Sequence, residues 1–193
     1  MIWIGDRTRQ LGGAHVEFAR GVANPVGLKC GASLDVDELL RLADRLDPDN
    51  IAGRLVLIGR FGASNAASHL PQLMRATRRE GINAIWSIDP MHGNTRSAGR
   101  LKTRMVGDIL TEIRIFFDVA GAEGVHAGGV HLEMTGSDVT ECLGGSVKLA
   151  EEDLPRRYLT HCDPRLNRGQ ALDVAGVIAD ALSGQSDHRS DAA

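Results

Sequence analysis

The sequence predicts an α/β fold in which short buried strands alternate with amphipathic helices. Short apolar segments recur along the chain, and between them apolar residues return at every third or fourth position. Several segments are apolar at successive residues, which is typical of strands covered on both faces. This alternation predicts a parallel sheet with right-handed crossovers. The predicted strands are Ile2–Ile4, Val26–Lys29, Leu55–Ile58, Ala84–Ile88, Val130–Leu132 and Tyr158–His161.

Four helices are predicted between and after these strands. The first begins with Asp35 and Glu38 in the positions of a capping pair. Gly81 and Gly124 stand where the second and third helices need a C-terminal cap. The predicted helices are Asp35–Leu46, Ser68–Glu80, Lys102–Glu123 and Arg168–Leu182.

Six strand–helix units fit two architectures. One is an open doubly wound sheet, and the other is a (β/α)8 barrel from which two strands are absent. A complete barrel takes roughly 250 residues, whereas this chain has 193, so length alone slightly favours the open sheet. The polar residues 184–193 predict a disordered tail after a domain that spans 1–183.

Composition excludes several classes of protein. Hydrophobic residues make up 42% of the chain and charged residues 24%, which is typical of a packed globular domain and argues against disorder. A net charge of −3 gives no overall positive field, so we expect no nucleic-acid partner. No apolar run approaches the roughly 18–20 residues of a membrane span, and the N-terminus lacks the pattern of a secretion signal. The three cysteines form no CxxC pair and indicate a reducing cytoplasm.

A charged or metal-ligating side chain follows every predicted strand, usually with glycine or proline nearby. From the second strand onward these groups lie roughly 30–40 residues apart, about the length of one strand–helix unit. In a parallel sheet or a barrel such positions share the carboxyl edge of the strands, where loops build a site. We therefore expect them to converge. The groups are Arg7, Lys29, Arg60, His92, Glu133 and Asp163.

The six side chains divide into two chemical sets. Arg7, Lys29 and Arg60 are cations, and converging cations suit a phosphate or a phosphate with a carboxylate. The other three, one imidazole and two carboxylates, suit Mn²⁺, Fe²⁺ or Co²⁺ better than a structural zinc. A metal beside a cationic pocket predicts Lewis-acid activation of a carbonyl in a phosphorylated substrate.

Each of these residues also has an ordinary structural interpretation. A single lysine or arginine at a strand end is usually a solvated charge, and a single histidine in a glycine-rich loop is more often hydrogen-bonded structure. Glu133 and Asp163 are also possible helix caps, and Pro164 suits the first helical position. The joint pattern at six strand ends favours a shared anion and metal site. The segment 102–104 at the mouth of that site either grips a second phosphate or begins a helix.

Longer motifs around these residues resemble the class II (plant-type) 3-deoxy-D-arabino-heptulosonate 7-phosphate (DAHP) synthases. Such enzymes condense phosphoenolpyruvate with erythrose 4-phosphate, the first step of the shikimate pathway and of aromatic amino acid biosynthesis. The resemblance runs in order from Trp3 to about Leu182. Its motifs are Trp3–Gln10, Asn24–Lys29, Asp89–Thr95, Gly128–Gly136 with Val139–Gly145, and Cys162–Asn167.

The resemblance implies a (β/α)8 barrel and a divalent metal, with Mn²⁺ preferred and Co²⁺ or Fe²⁺ as other candidates. In the family the metal polarises the aldehyde of erythrose 4-phosphate while C3 of phosphoenolpyruvate attacks it, and phosphate leaves after water adds at C2. Asp6 stands where the family has glutamate. The resemblance places Asp6, Arg7, Lys29 and Arg60 around phosphoenolpyruvate and His92, Glu133 and Asp163 on the metal, with Lys29 and His92 as catalytic residues.

The resemblance covers the C-terminal portion of the family's barrel. We therefore expect a partial (β/α)8 TIM barrel of about six strand–helix units with the first two strands missing. Those two strands carry the family's cysteine ligand to the metal and a Lys-Pro-Arg-Ser segment that serves both substrates. Open strand edges invite association. Three hypotheses follow: a cytoplasmic synthase completed by self-association or by a second polypeptide that supplies the missing strands, a non-catalytic module that binds a ligand or a partner chain, or an inactive gene fragment.

Overall fold

The computed structural model describes the backbone of residues 1–190 and the side chains of residues 1–183. Within this part of the chain, five strands form one parallel sheet and two form an antiparallel hairpin. Helices alternate with the strands of the sheet, so the predicted α/β class is confirmed. The strands are β1 (Ile2–Ile4), β2 (Val26–Cys30), β3 (Leu55–Gly59), β4 (Ala84–Ile88), β5 (Arg96–Ala98), β6 (Leu101–Thr103) and β7 (Ala127–Val130).

The order of the strands distinguishes between the two architectures that the sequence left open. A doubly wound sheet reverses its order at a switch point, whereas β1, β2, β3, β4 and β7 lie side by side in chain order. Right-handed crossovers then place all the helices on one face, and each helix contacts the next one along the chain. The helices are α1 (Ala14–Arg20), α2 (Val36–Leu46), α3 (Ala63–Arg79), α4 (Val106–Ala122) and α5 (Arg168–Ser190).

The sheet is strongly curved. In a flat sheet β1 and β7 would lie roughly 19 Å apart, since neighbouring strands are about 4.8 Å apart. Yet the rings of Trp3 on β1 and His131, just after β7, meet edge to face with centroids 5.5 Å apart. Side chains at the first strand and just after the last strand therefore meet across the concave face. This arc of five parallel strands is consistent with part of a (β/α)8 barrel.

Local sequence explains where the helices begin and end. The carboxylate of Asp35 accepts the backbone N–H of Glu38 at 2.7 Å, so the predicted cap of α2 is confirmed. Gly81 and Gly124 follow α3 and α4, and each has a φ of +65°. Glycine is favoured there because a Cβ is strained in the left-handed region.

Three predicted helix boundaries were wrong. The helix α3 begins at Ala63, five residues before the predicted start at Ser68. The helix α4 begins at Val106 because the residues before it form the strand β6. The helix α5 continues to Ser190, beyond the predicted end at Leu182. The short helix α1 was not predicted, because it buries only two apolar side chains, Val16 and Ala19.

Two predicted strands also need correction. The fifth lies at Ala127–Val130 rather than Val130–Leu132, and it pairs with β4 through a register shift. The sixth, Tyr158–His161, is not a strand. The backbone N–H groups of Leu159 and Thr160 are bound by the carboxylate of Glu141 and are thus not available to a neighbouring strand. A single parallel bridge between Met134 and Leu166 forms in that region of the chain.

The ends of the domain add two observations. The predicted tail 184–193 falls partly within α5, and its last three residues, 191–193, lie outside the described residues. None of the helices among the described residues has the length and apolar character that a membrane crossing requires.

Candidate metal and anion site

The loops at the carboxyl ends of the strands surround a cleft of about 560 Å³. All seven side chains that the sequence predicted for a site line this one cleft, so the expected convergence is observed. Seven further residues complete its wall. The predicted residues are Asp6, Arg7, Lys29, Arg60, His92, Glu133 and Asp163, and the others are Trp3, Gly5, Thr8, Asp89, Thr95, Lys102 and His131.

A buried ion pair forms the floor of the cleft. Lys29 on β2 is 5% exposed, and its Nζ donates to Oδ2 of the fully buried Asp89 at 2.5 Å. The same oxygen lies 2.7 Å from Nδ1 of His92. Burial alone would raise the pKa of Asp89, but the hydrogen bond to His92 and the charge of Lys29 outweigh burial and hold this pKa well below its usual range. Asp89 is therefore ionised. It binds both Lys29, which is predicted to contact the anion, and His92, which is predicted to bind the metal.

A second cluster of charges lines the anion side. Asp6 accepts from Arg60 Nη1 at 2.8 Å, from Arg9 Nε at 3.2 Å and from the backbone N–H of Gly31 at 2.9 Å. A Cβ on Gly31 would lie 2.4 Å from the Asp6 carboxylate, so glycine lets the loop approach this closely. Asp6 thus orients cations, while Arg7 beside it is exposed in the cleft.

The three predicted metal ligands lie together. His92, Glu133 and Asp163 each offer a ligand atom, and these atoms lie within 4.8 Å of one another. Nε2 of His92 lies 3.5 Å from Oε1 of Glu133. Asp89 contacts Nδ1 of His92 at 2.7 Å and so fixes the ring with Nε2 facing the Glu133 carboxylate, as in metal sites whose histidine is oriented by an outer carboxylate. One nitrogen and two carboxylate donors fit a divalent first-row metal.

Two cations hold the carboxylates of this group. Lys102 Nζ donates to Asp163 Oδ1 at 3.0 Å, and Arg104 Nη1 donates to Glu133 Oε2 at 2.5 Å. Burial would raise the pKa of Asp163, but the hydrogen bond and charge of Lys102 lower it overall. Of the two alternatives for the segment 102–104, the helix start is wrong, because this segment lies in β6 and the residue that follows it.

Two buried carboxylates, Glu112 and Glu141, bind the backbone of the loops that line the cleft. Glu112 of α4 accepts the backbone N–H groups of Phe61 and Gly62, at 2.9 and 3.0 Å, and the side-chain amide of Asn94 at 2.7 Å. It thereby joins the loop after β3 to the loop after β4. Burial raises the pKa of Glu112 to about 7, against the lowering effect of these hydrogen bonds.

Glu141 does the same for the segment 158–165. Its carboxylate accepts from Arg165 Nε at 3.0 Å and Nη2 at 2.8 Å, and from the backbone N–H groups of Leu159, Thr160 and Arg165. Burial would raise its pKa, but the Arg165 hydrogen bonds lower it overall. This clamp places Asp163 at the cleft.

Sequence reasoning missed the residues that orient the site. Asp89 had a usable signal, since it stands three residues before His92 in a loop motif. Arg104 lies in the segment 102–104 and Glu141 in the motif Val139–Gly145, but neither was assigned its orienting role. Glu112 had no signal, because an isolated charge on a helix is usually solvated. His131 lines the cleft, and burial and the charge of Lys29 lower its pKa, so that its neutral form is favoured.

Comparisons with known proteins agree with the geometry. The model of the class II DAHP synthetase family matches residues 1–179. A phospho-2-dehydro-3-deoxyheptonate aldolase of Streptomyces coelicolor is 47% identical over 186 residues, which cover 96% of this chain and 41% of that protein. The protein of the same name from Mycolicibacterium smegmatis is 46% identical over 94% of this chain and 39% of its own length. The chain thus spans about 40% of the length of these relatives. On the family match, it belongs to the class II DAHP synthetase family.

Proposed function

We propose that this chain carries the phosphoenolpyruvate and metal sites of a DAHP synthase. The reaction joins phosphoenolpyruvate, erythrose 4-phosphate and water to give DAHP and phosphate. The observation that carries the proposal is that seven side chains, scattered between residues 6 and 163, line one cleft. Family membership supplies the substrates.

Phosphoenolpyruvate binds, in this proposal, to the cations of the cleft. Arg7, Lys29 and Arg60 match the phosphate and carboxylate charges of this substrate. Asp89 and Asp6 hold Lys29 and Arg60 in place before the ligand arrives, which lowers the entropic cost of binding. Lys29 Nζ donates one hydrogen bond to ionised Asp89, and an ammonium group has further N–H donors to offer the substrate.

The metal is held by His92, Glu133 and Asp163, with Mn²⁺ as the first candidate and Co²⁺ or Fe²⁺ as others. A cation there supplies Lewis-acid polarisation of an aldehyde carbonyl. The chain's own contribution is orientation, because Asp89 fixes the His92 ring and the cationic side of the cleft fixes the attacking substrate nearby.

A partner chain completes the site in this proposal. The strand β1 is an edge of the sheet, and beside it lies an apolar groove of about 340 Å³. Trp3 and Phe18 in this groove are 54% and 69% exposed. Such an edge invites pairing with a second polypeptide or another copy of the chain. We assign the complex to the cytoplasm, since the three cysteines of the chain are free.

The test of the proposal is a coupled assay with the purified chain. Its mass in solution is measured first, and then loss of phosphoenolpyruvate and release of phosphate with erythrose 4-phosphate and Mn²⁺. Turnover by the chain alone, or only after addition of a polypeptide that carries the missing strands, supports a synthase. Binding of phosphoenolpyruvate without turnover in either case supports the non-catalytic module instead.

The ligand assignment has its own test. Replacement of His92 by alanine removes the nitrogen donor, so Mn²⁺ retention after gel filtration is expected to be lost. Unchanged metal stoichiometry in this variant contradicts the assignment. His69, whose Nδ1 contacts the backbone of its own helix outside the cleft, provides the matched control as His69→Ala.

A further inference from the structure

A buried arginine lies directly behind the metal ligands. Arg104 follows β6 and is 0% exposed, and it does not line the cleft. Its Nη2 atom has no hydrogen-bond partner among the described residues. A buried charge with an unsatisfied donor is a poor source of stability. Its position therefore points to a role beyond packing.

Arg104 joins all three of the loops that carry metal ligands. Its Nε donates to Oγ1 of Thr95, three residues after His92, at 3.0 Å. Its Nη1 donates to Oε2 of Glu133 and to the carbonyl oxygen of Pro164, the residue after Asp163. The planar guanidinium thus sets the spacing of three chain segments that are distant in sequence.

The contact with Arg104 gives the two carboxylate oxygens of Glu133 different surroundings. Arg104 binds Oε2 at 2.5 Å, and Oε1 faces Nε2 of His92 at 3.5 Å. One oxygen is therefore held by the protein, and the other is directed to the position between the ligands. A carboxylate turned about a quarter-turn from this orientation would lose the Arg104 hydrogen bond.

From this geometry we infer that Arg104 is a positioning residue, which aligns His92, Glu133 and Asp163 and presents Glu133 to the metal through a single oxygen. The inference rests on the metal site of the proposed function. It differs from a ligand role, because a guanidinium carries only donors and repels a cation.

The test measures metal binding by the complete chain. The variant Arg104→Gln is expected to bind Mn²⁺ at least about tenfold more weakly in calorimetry, the usual scale for loss of a group that orients a ligand. The visible absorption of bound Co²⁺, which reports the ligand geometry, is expected to shift. The variant Arg104→Lys keeps the charge but replaces the planar fork of donors by a single ammonium group, so we expect an intermediate loss.

Arg9 provides the matched control. It is also a buried arginine that joins separate segments, since it donates to Asp6, Ser33 and Glu38, and none of these is a proposed metal ligand. Arg9→Gln is expected to lower the melting temperature but to leave the Mn²⁺ affinity and the Co²⁺ spectrum unchanged. Equal effects of both substitutions on the Co²⁺ spectrum would overturn the positioning role.

The remaining outcomes separate the two proposals. If the wild-type chain binds no Mn²⁺, the proposed metal site fails and the positioning role fails with it. If the wild type binds Mn²⁺ and the folded Arg104 variants bind it equally well, only the positioning role fails. If neither Arg104 variant folds, circular dichroism assigns the residue to fold stability and the inference is again overturned.

Discussion

The two sides of the cleft are built on different kinds of backbone. On the anion side, Lys29 lies on β2 and Arg60 directly follows β3, and ion pairs with Asp89 and Asp6 orient them. On the metal side, Glu133 and Asp163 stand on irregular segments after β7. There, three backbone N–H groups around Asp163 bind the Glu141 carboxylate, and near Glu133 the strand pairing is reduced to the bridge between Met134 and Leu166. Regular strands place Lys29 and Arg60, and buried charged side chains hold Glu133 and Asp163.

Glu112 and Glu141, the buried carboxylates that hold the loops of the cleft, differ in the charge of their hydrogen-bond donors. Glu112 receives only neutral donors, two backbone N–H groups and an amide, and its pKa is raised to about 7. Glu141 also receives the guanidinium of Arg165, and its pKa is lowered. Both are fully buried and both hold loops. The charge of the partner decides which protonation state of the carboxyl folding favours.

The largest loss of stability is expected when the lysine of the buried Lys29–Asp89 pair is replaced. The metal side has a similar but exposed pair, Lys102–Asp163, for comparison. The side chains of Lys29 and Asp89 are 6% and 0% exposed, whereas those of Lys102 and Asp163 are 56% and 22% exposed. Lys29→Met leaves a buried carboxylate without its cation and is expected to cost about 3–5 kcal/mol of unfolding free energy. Lys102→Met is expected to cost far less, because solvent screens an exposed ion pair. Urea unfolding measures both, and equal losses would contradict the contrast in burial.

The next largest loss of stability is expected for Glu141, and a matched substitution of Glu112 provides the comparison. Glu141→Gln weakens a charged pair and loses acceptors for backbone N–H groups, so we expect a loss of about 3 kcal/mol at pH 8. Glu112→Gln removes a buried charge whose partners are neutral, and it brings two amide groups together at Asn94. These changes oppose each other, so a loss below about 1 kcal/mol is expected. A larger loss for the Glu112 variant would show that its carboxylate is needed in the charged form.

Glu112 and Glu141 are also expected to change the free energy of unfolding with pH in opposite directions. The pKa of Glu112 is raised from 4.5 to about 7, so between these values the folded chain keeps a proton that the unfolded chain has released. Stability therefore falls as pH rises through this window, by up to about 3 kcal/mol from this group. Glu141 has a lowered pKa, so its contribution is present above the unfolded value and is lost as pH falls.

Unfolding of the wild type and the two glutamine variants between pH 4 and 8 separates these contributions. Glu112→Gln is expected to remove the decline toward neutral pH, and Glu141→Gln to remove part of the loss at acid pH. A wild type and a Glu112 variant with parallel curves would show that Glu112 titrates normally in the folded chain.

The sequence predicted the anion side better than the metal side for the same structural reason. Strands β1 to β4 are apolar runs that end at or just before a charged residue, so Lys29 and Arg60 could be placed from pattern alone. The strand β7 contains two glycines, which are depleted in strands, and its position was missed by three residues. The segment 158–161 has apolar and polar residues like a strand, but its backbone binds Glu141. No local pattern reveals a partner that is distant in sequence.

The last effect tests whether Asp6 acts only on the anion side of the cleft. Asp6→Asn keeps the size of the side chain but removes its charge from Arg60, whose side chain is 25% exposed. We expect phosphoenolpyruvate affinity, measured by calorimetry, to fall about fivefold, which is about 1 kcal/mol for a partly exposed pair. The partners of Asp6 are Arg9, Arg60 and Gly31, and none of them contacts a proposed metal ligand through a hydrogen bond described above. Mn²⁺ affinity is therefore expected to stay within about twofold, because sites without shared partners are nearly additive. A parallel loss of Mn²⁺ affinity would mean that Asp6 also couples the two sides, and that the observed link through Asp89 is not sufficient to describe how they communicate.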